Sequence, residues 1–169
     1  MGGRNSWGAV LAGLTVLGGL GFWTFRPAVI PNVTVVSEGE ALTLDQVRGD
    51  KRKLVLALIH PSDPNSKAAV ATLKAQFPTW ETRATFAGLV LADPASAAAF
   101  QKENELPFTV YAFTPQEHPE AYNELVKAVG GFRNRFFVGT VLVLDQSRRI
   151  SQQVNGDELE KLPATLTRL

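Results

Sequence analysis

The chain has 169 residues, 45% of them apolar and 20% charged, with a formal net charge of +1. That composition fits one globular domain plus an apolar segment at one end, and so small a net charge gives no field for nucleic acid, so no nucleic-acid partner is expected. Cysteine is absent, which excludes disulfides, thiolate nucleophiles, iron–sulfur clusters and cysteine zinc sites in any compartment.

Trp7 to Phe25, WGAVLAGLTVLGGLGFWTF, carries no charge and is close to the roughly 20 residues a helix needs to cross about 30 Å of hydrocarbon. Trp7 at one end and Phe22, Trp23 and Phe25 at the other stand as aromatic belts, with Arg4 and Arg26 just outside. A cleaved secretory signal would have a shorter apolar region followed by an A-x-A-like site, and neither is found. Residues 1–26 are therefore expected to be a retained transmembrane anchor of a single-pass protein, with the lipid bilayer as a partner. Gly8, Ala12, Thr15 and Gly19 fall on one face of that helix, a seam of small residues where a helix of another subunit could approach closely. The plainer reading of the seam is the ordinary abundance of Gly and Ala in membrane helices. Arg4 lies on one side of the span and Arg26, Arg48, Lys51 and Arg52 on the other, so the positive-inside rule alone would not put the domain outside.

Residues 27–32, with Pro27 and Pro31, read as a short extended linker, and residues 33–169 as one domain. Val33 to Val36 is a first strand, and Ala41 to Gly49 contains a turn of helix ahead of the basic stretch Lys51 to Lys53. Leu54 to Ile59 is an unbroken apolar run, the pattern of a central strand buried on both faces of a sheet. Asp63-Pro64 then gives an N-cap acceptor and a proline at the first helical position. Val70, Leu73 and Phe77 recur on one face of the helix that follows, and Pro78 is expected to stop it. Thr85 to Ala92 reads as the next buried strand, and Asp93-Pro94 repeats the cap and proline before a helix over Ala95 to Glu105.

Phe108 to Phe113 is a further strand, and a helix over Glu120 to Val129 is expected to end at Gly130-Gly131. Phe136 to Leu144 and Arg149 to Val154 form an antiparallel hairpin about Asp145 to Arg148. Asp157 to Leu166 closes the chain as a helix capped by Asp157 and kinked or split at Pro163. The expected core is Val55, Ala57, Ile59, Val70, Leu73, Phe77, Val90, Phe100, Val110, Val141 and Val143, in an α/β domain whose mixed sheet is flanked by helices.

Several phrases in this order resemble the thioredoxin-like fold, and most closely the membrane-anchored thiol-disulfide proteins of the TlpA kind. The carriers are the strand, loop and helix of Lys53 to Phe77, the leucine, helical turn, glycine and basic residues before it, and the "Asp-Pro, helix, Leu-Pro-Phe, strand" of Asp93 to Phe113. The resemblance covers about Thr34 to Leu169. In that family a Cys-x-x-Cys pair opens the helix after the central strand, and Asp63 and Ser66 stand at those places here. The strand before the closing hairpin begins Thr-Pro-Thr in the family, its cis-proline lying against the cysteines, and counting back from Asp145 places Gly139 at the proline. The resemblance thus implies a degenerate active site at His60, Asp63, Ser66 and Gly139, with the domain held in the periplasm or an equivalent extracytoplasmic compartment.

Other chemistry is thinly supported. A peroxiredoxin needs a reactive thiolate, which the chain lacks. Asp63 is better read as a helix cap than as a catalytic carboxylate, and Ser66 has only His60 as a conceivable base, with no third group to orient it. Sco-like copper proteins share an anchor and this fold and use a histidine, but their other ligands are cysteines. His60, His118 and a carboxylate such as Asp63 have no recognisable ligand spacing. The Gly18-Gly19 and Gly130-Gly131 pairs lack the context of a phosphate loop. No metal, cofactor or catalytic residue is therefore expected. The reading is a bitopic protein whose non-catalytic domain is a scaffold or accessory subunit of a membrane complex, the alternative being an enzyme or metal carrier that uses the His60 to Ser66 loop.

Overall fold

A computed structural model of the chain describes residues 28–130 and 138–168. The expected span Trp7 to Phe25, its seam Gly8, Ala12, Thr15 and Gly19, and Gly131 lie outside the described residues. Within them no helix is long and apolar enough to cross a membrane.

The first strand, β1 (Thr34–Ser37), turns back at once into β2 (Glu40–Thr43). The two-residue turn between them holds Glu38 and Gly39 at φ 51° and 84°, the pair of positive φ angles that matches strand twist in a tight hairpin. Thr43 then caps a short helix, α1 (Leu44–Arg48), in a capping box with Gln46. The chain continues through β3 (Leu54–Ile59), α2 (Pro64–Trp80), β4 (Thr85–Val90), α3 (Pro94–Glu103), β5 (Val110–Ala112) and α4 (Pro119–Gly130). It closes with β6 (Val141–Leu144), β7 (Ile150–Val154), a 3-10 turn at Leu159–Lys161 and α5 (Leu162–Leu166).

Among the described residues these strands form one 7-stranded sheet in the order β2-β1-β5-β4-β3-β6-β7. β3, β4 and β5 are parallel, while β1 and β6 join them antiparallel. β3 is hydrogen-bonded on both sides, and all 6 of its residues are buried. Because side chains alternate across a strand, Val55, Ala57 and Ile59 enter one core with α2, α3 and α5, and Leu54, Leu56 and Leu58 enter a second with α1 and α4. Helices therefore cover both faces, as the continuous apolar run required. The expected core residues are buried in the first of these cores, except Phe77, which is partly buried against it.

Several expected boundaries are corrected. Pro78 does not stop α2, which runs on to Trp80. A proline removes its own donor but leaves later N–H groups free to bond back, and Glu81 N donates to Phe77 O at 2.9 Å. Phe77 packs edge-on to Phe86, with ring centroids 5.5 Å apart, and Trp80 lies on the same core, so apolar burial carries the helix through its last turn. β2 was not anticipated, since Ala41 to Thr43 reads as part of the following helix. The strands expected over Thr85 to Ala92, Phe108 to Phe113 and Phe136 to Leu144 are shorter, and Val138 to Thr140 precedes β6 as a turn. α4 begins at Pro119 and includes Gly130. Asp157 does not cap the closing helix, since Glu158 is the N-cap residue of the 3-10 turn and makes no side-chain cap bond. Pro163 does divide that segment, standing in the first turn of α5.

Two predictions follow from this packing. A Cβ built on Gly88 of β4 would lie 2.7 Å from Ile59 Cδ1 and 3.1 Å from Val110 Cγ2. Gly88→Val should overpack the core and cost about 1–3 kcal/mol, read as a lower urea midpoint at unchanged m-value in solubilised protein. Asp93 caps α3 through Ser96 N at 2.9 Å, and that bond, with a second from the Ser96 hydroxyl, holds its carboxyl below the ordinary value. A lowered carboxyl stabilises the fold above its unfolded pKa and loses that contribution as pH falls through the folded value. The acid limb of a stability–pH profile should therefore flatten in Asp93→Asn.

Candidate functional site

The parallel strand β3 ends at Ile59, and the chain must turn from it into the N-terminus of α2, where the first helical N–H groups lack intrahelical partners. The loop supplies those partners from within itself. Asp63 N donates to His60 O at 2.9 Å, closing the turn, and Ser66 N donates to Asp63 Oδ2 at 2.7 Å. Ser66 is wholly buried, and its Oγ accepts from His60 N at 3.0 Å. Asp63 and Ser66 are thus spent on building the strand-to-helix turn. The His60 ring is exposed and meets Ser62 Oγ through Nδ1 at 2.9 Å; it is not paired with Ser66.

Gly139 reaches the same turn from the far side of the sequence. It precedes β6, and its N–H donates to Leu58 O at 2.8 Å while Leu58 N donates to Thr140 O at 2.9 Å. Its φ of 79° is left-handed, and a Cβ there would lie 2.7 Å from the carbonyl carbon of Asn65. Only glycine fits both demands at low cost. Proline would also fail, because its φ is fixed near −65° and it has no N–H for Leu58. Among the described residues there is no cis peptide bond.

The structure therefore gathers His60, Asp63, Ser66 and Gly139 at the end of β3 and the start of α2, and it adds residues that sequence reasoning did not single out. Asn65, in the first turn of α2, is approached by both Gly139 and Gly156, whose added Cβ would lie 2.8 Å from Asn65 Cβ. Gly156 gave no signal in the sequence, because the contact joins segments distant along the chain. Thr140 is wholly buried, and its Oγ1 has no hydrogen-bond partner among the described residues. His118 stacks on Phe113, with ring centroids 5.9 Å apart. Among the described residues no group of three or more His, Asp or Glu is placed to hold a metal ion. The arrangement uses the Asp63 and Ser66 side chains to satisfy the turn's own N–H groups, leaves Thr140 Oγ1 unpartnered, and exposes His60, Ser62 and Asn65.

No family model matches the chain, and no curated protein matches its sequence. Its shape does match solved structures. The peroxidoxin BcpB of Mycobacterium tuberculosis aligns with a TM-score of 0.63 at 12% identity, over 85% of this chain and 94% of that one. The thioredoxin domain of a thiol-disulfide oxidoreductase from Bacteroides vulgatus aligns at 0.63 and 11% identity, over 83% and 96%. A thiol:disulfide interchange protein of the thioredoxin family from Chlorobium tepidum aligns at 0.57 and 17% identity, over 83% and 97%. At these identities the likeness establishes the fold alone, which is thioredoxin-like, a mixed α/β sheet flanked by helices. The chain carries that fold without any cysteine.

Two substitutions test this geometry. Gly139→Ala should destabilise by about 1–3 kcal/mol for the left-handed backbone alone, and by more through the contact with Asn65, seen as a lowered thermal midpoint. Asp63→Ala should cost about 1 kcal/mol as a lost helix cap, whereas Asp63→Asn should recover most of it. Equal losses in the two variants would show that the carboxylate charge, not the cap, matters.

Proposed function

We propose that this chain is a membrane-anchored, non-catalytic thioredoxin-fold protein that serves as a scaffold or accessory subunit of a membrane protein complex. The observation that carries the reading is the use of Asp63 and Ser66. In a thiol enzyme the start of this helix presents a reactive sulfur, whereas here both side chains are consumed by the turn and the chain has no cysteine elsewhere. Thiol–disulfide exchange and thiol peroxidation both need a thiolate as nucleophile, so this chain cannot supply that step. A domain that retains the fold but not the nucleophile keeps its surfaces, and binding is what surfaces do.

The anchor rests on the uncharged stretch Trp7 to Phe25 with its aromatic and arginine borders. The seam of Gly8, Ala12, Thr15 and Gly19 offers a partner helix close approach. By resemblance to TlpA-like proteins, the domain stands in the periplasm or an equivalent extracytoplasmic compartment. The alternative, an enzyme or metal carrier using the His60 to Ser66 loop, has the exposed His60–Ser62 pair in its favour. It lacks a grouped ligand set among the described residues.

A variant combining His60→Ala, Asp63→Asn and Ser66→Ala separates the two readings. It should fold, with the lost Ser66 bond costing about 1 kcal/mol, and it should still co-purify with the partners of the native protein from mild-detergent extracts. Loss of function in a folded triple variant would favour the alternative. The purified protein should show no insulin reduction and no peroxidase turnover above background. Gly8→Leu with Gly19→Leu should leave membrane insertion intact, since Leu is at least as apolar, but abolish co-purification. Undiminished recovery of partners would refute the seam and assign association to the domain.

A further inference from the structure

We propose that the turn after β7 is a self-modification site, where the backbone amide of Gly156 closes on the Asn155 side chain, converts it to aspartate or isoaspartate, and so loosens the start of α2. The site lies wholly within the described domain and needs no membrane anchor.

Asn155 follows the last residue of β7 and opens a turn that Glu158 N closes by donating to Asn155 O at 2.9 Å. It is the one asparagine in the chain that precedes a glycine, so no Cβ on the following residue shields the amide nitrogen beside its side chain. Gln153 orients that side chain. Gln153 Nε2 donates to Val129 O at 3.4 Å and to Asn155 Oδ1 at 3.0 Å. A backbone carbonyl only accepts, so Gln153 must face it with its NH2 group, and Asn155 must face that NH2 with its oxygen. The donor therefore stands where negative charge develops on Oδ1 when Cγ is attacked. The leaving group and the nucleophile are free. Among the described residues, Asn155 Nδ2 and Gly156 N have no hydrogen-bond partner, and both residues are partly exposed, so water reaches them.

The reaction needs only water as co-reactant. Gly156 N gives its proton to solvent and attacks Asn155 Cγ, the Cγ–Nδ2 bond breaks, and Nδ2 takes a proton from solvent and leaves as ammonia. The product is a cyclic succinimide. Water opens it at Cγ to give aspartate, or at the former main-chain carbonyl of Asn155 to give isoaspartate, whose main chain runs through one extra methylene. The structure leaves little room for that longer chain. A Cβ built on Gly156 would lie 2.8 Å from Asn65 Cβ, 3.2 Å from Asn65 Cγ and 3.5 Å from Val138 O, so Gly156 sits against the first turn of α2 and the backbone just before Gly139. In isoaspartate the Asn155 carbonyl that closes the turn leaves the main chain and becomes a free carboxylate. It joins Asp157 and Glu158 in one short stretch, where like charges repel.

Ageing the full chain in detergent at neutral pH, beside a free peptide spanning Gln152 to Leu159, tests the site by peptide mapping. Asn155 should gain about one dalton, NH2 replaced by OH, several-fold faster than any other asparagine and at a rate within several-fold of the free peptide. An isoaspartate methyltransferase should then methylate the aged chain. Asn155→Gln should abolish that methylation, since its longer side chain would close a less favoured ring, and Gln153→Leu should slow conversion several-fold by removing the donor to Oδ1. Survival of Asn155 in the folded chain while the peptide converts would overturn the site, and unchanged or faster conversion in Gln153→Leu would overturn the role of that donor. Hydrogen exchange at the Asn65 to Lys67 amides should rise several-fold in aged protein but not in aged Asn155→Gln. Isoaspartate at Asn155 with unchanged exchange there would overturn the coupling to α2.

Discussion

β3 has no solvent-facing side, and the architecture follows from that. Its odd-numbered residues feed the core beneath α2, α3 and α5, and its even-numbered residues feed the core beneath α1 and α4. Each large side chain so buried is worth about 1.5–3 kcal/mol of transfer free energy, on both faces of one strand. A strand of this kind needs a hydrogen-bonded neighbour on each edge and a helical layer on each side. β4 and β6 supply the edges. The crossover from β3 to the parallel β4 must span the sheet's length, and α2 is that crossover. The loop from β3 to α2 is therefore fixed in place before its own residues are considered.

That position explains why the loop is so closely hydrogen-bonded. At the end of a buried parallel strand and the start of a helix, unpaired N–H groups are costly unless something accepts from them. A reactive side chain here would leave part of this work to other groups. Asp63 and Ser66 do it directly, one as carboxylate cap and one as a buried hydroxyl accepting from His60 N. Gly139 completes the packing, since its left-handed backbone lets the segment before β6 press onto Asn65 and still donate to Leu58. A residue with a side chain would push β6 from β3 or α2 from the turn. The backbone at Gly139 is also one that proline cannot adopt, so more than a single side chain separates this turn from a cis-proline geometry.

Much of this was legible in the sequence because it depends on local, strong signals. An unbroken apolar run, and Asp-Pro before each of two helices, are short-range facts, and β3, α2 and α3 stand where they indicated. The failures are long-range or unusual locally. Pro78 was outvoted by Phe77 and Trp80, whose burial depends on Phe86 and Phe108, residues of other elements. β2 was hidden because its turn places Glu38 at positive φ, which side chains other than Gly, Asn and Asp rarely accept. Asn65 and Gly156 gave no signal, because their meaning lies in a contact across nearly the whole domain. Asp157 failed as a cap because an acceptor type alone does not place its oxygen near an orphan N–H.

Ala28 to Ile30 pair with Arg148 to Ile150 along the start of β7, and the pairing has a structural logic. β7 is the last strand of the sheet, and an uncovered edge strand is a template for pairing with another chain. The incoming segment covers the start of that edge, and Ile30 fills the second core beside Leu144 and Val129. The same contacts couple the two ends of the domain through one strand pair. The chain is gripped where β6 turns into β7, and Gly139, at the other end of β6, is gripped by Leu58 and Asn65. Between these two points β6 and β3 are fully buried and hydrogen-bonded to each other. The loop at the end of β3 is thus held from two sides, by its own Asp63 and Ser66 bonds and by the backbone of Gly139.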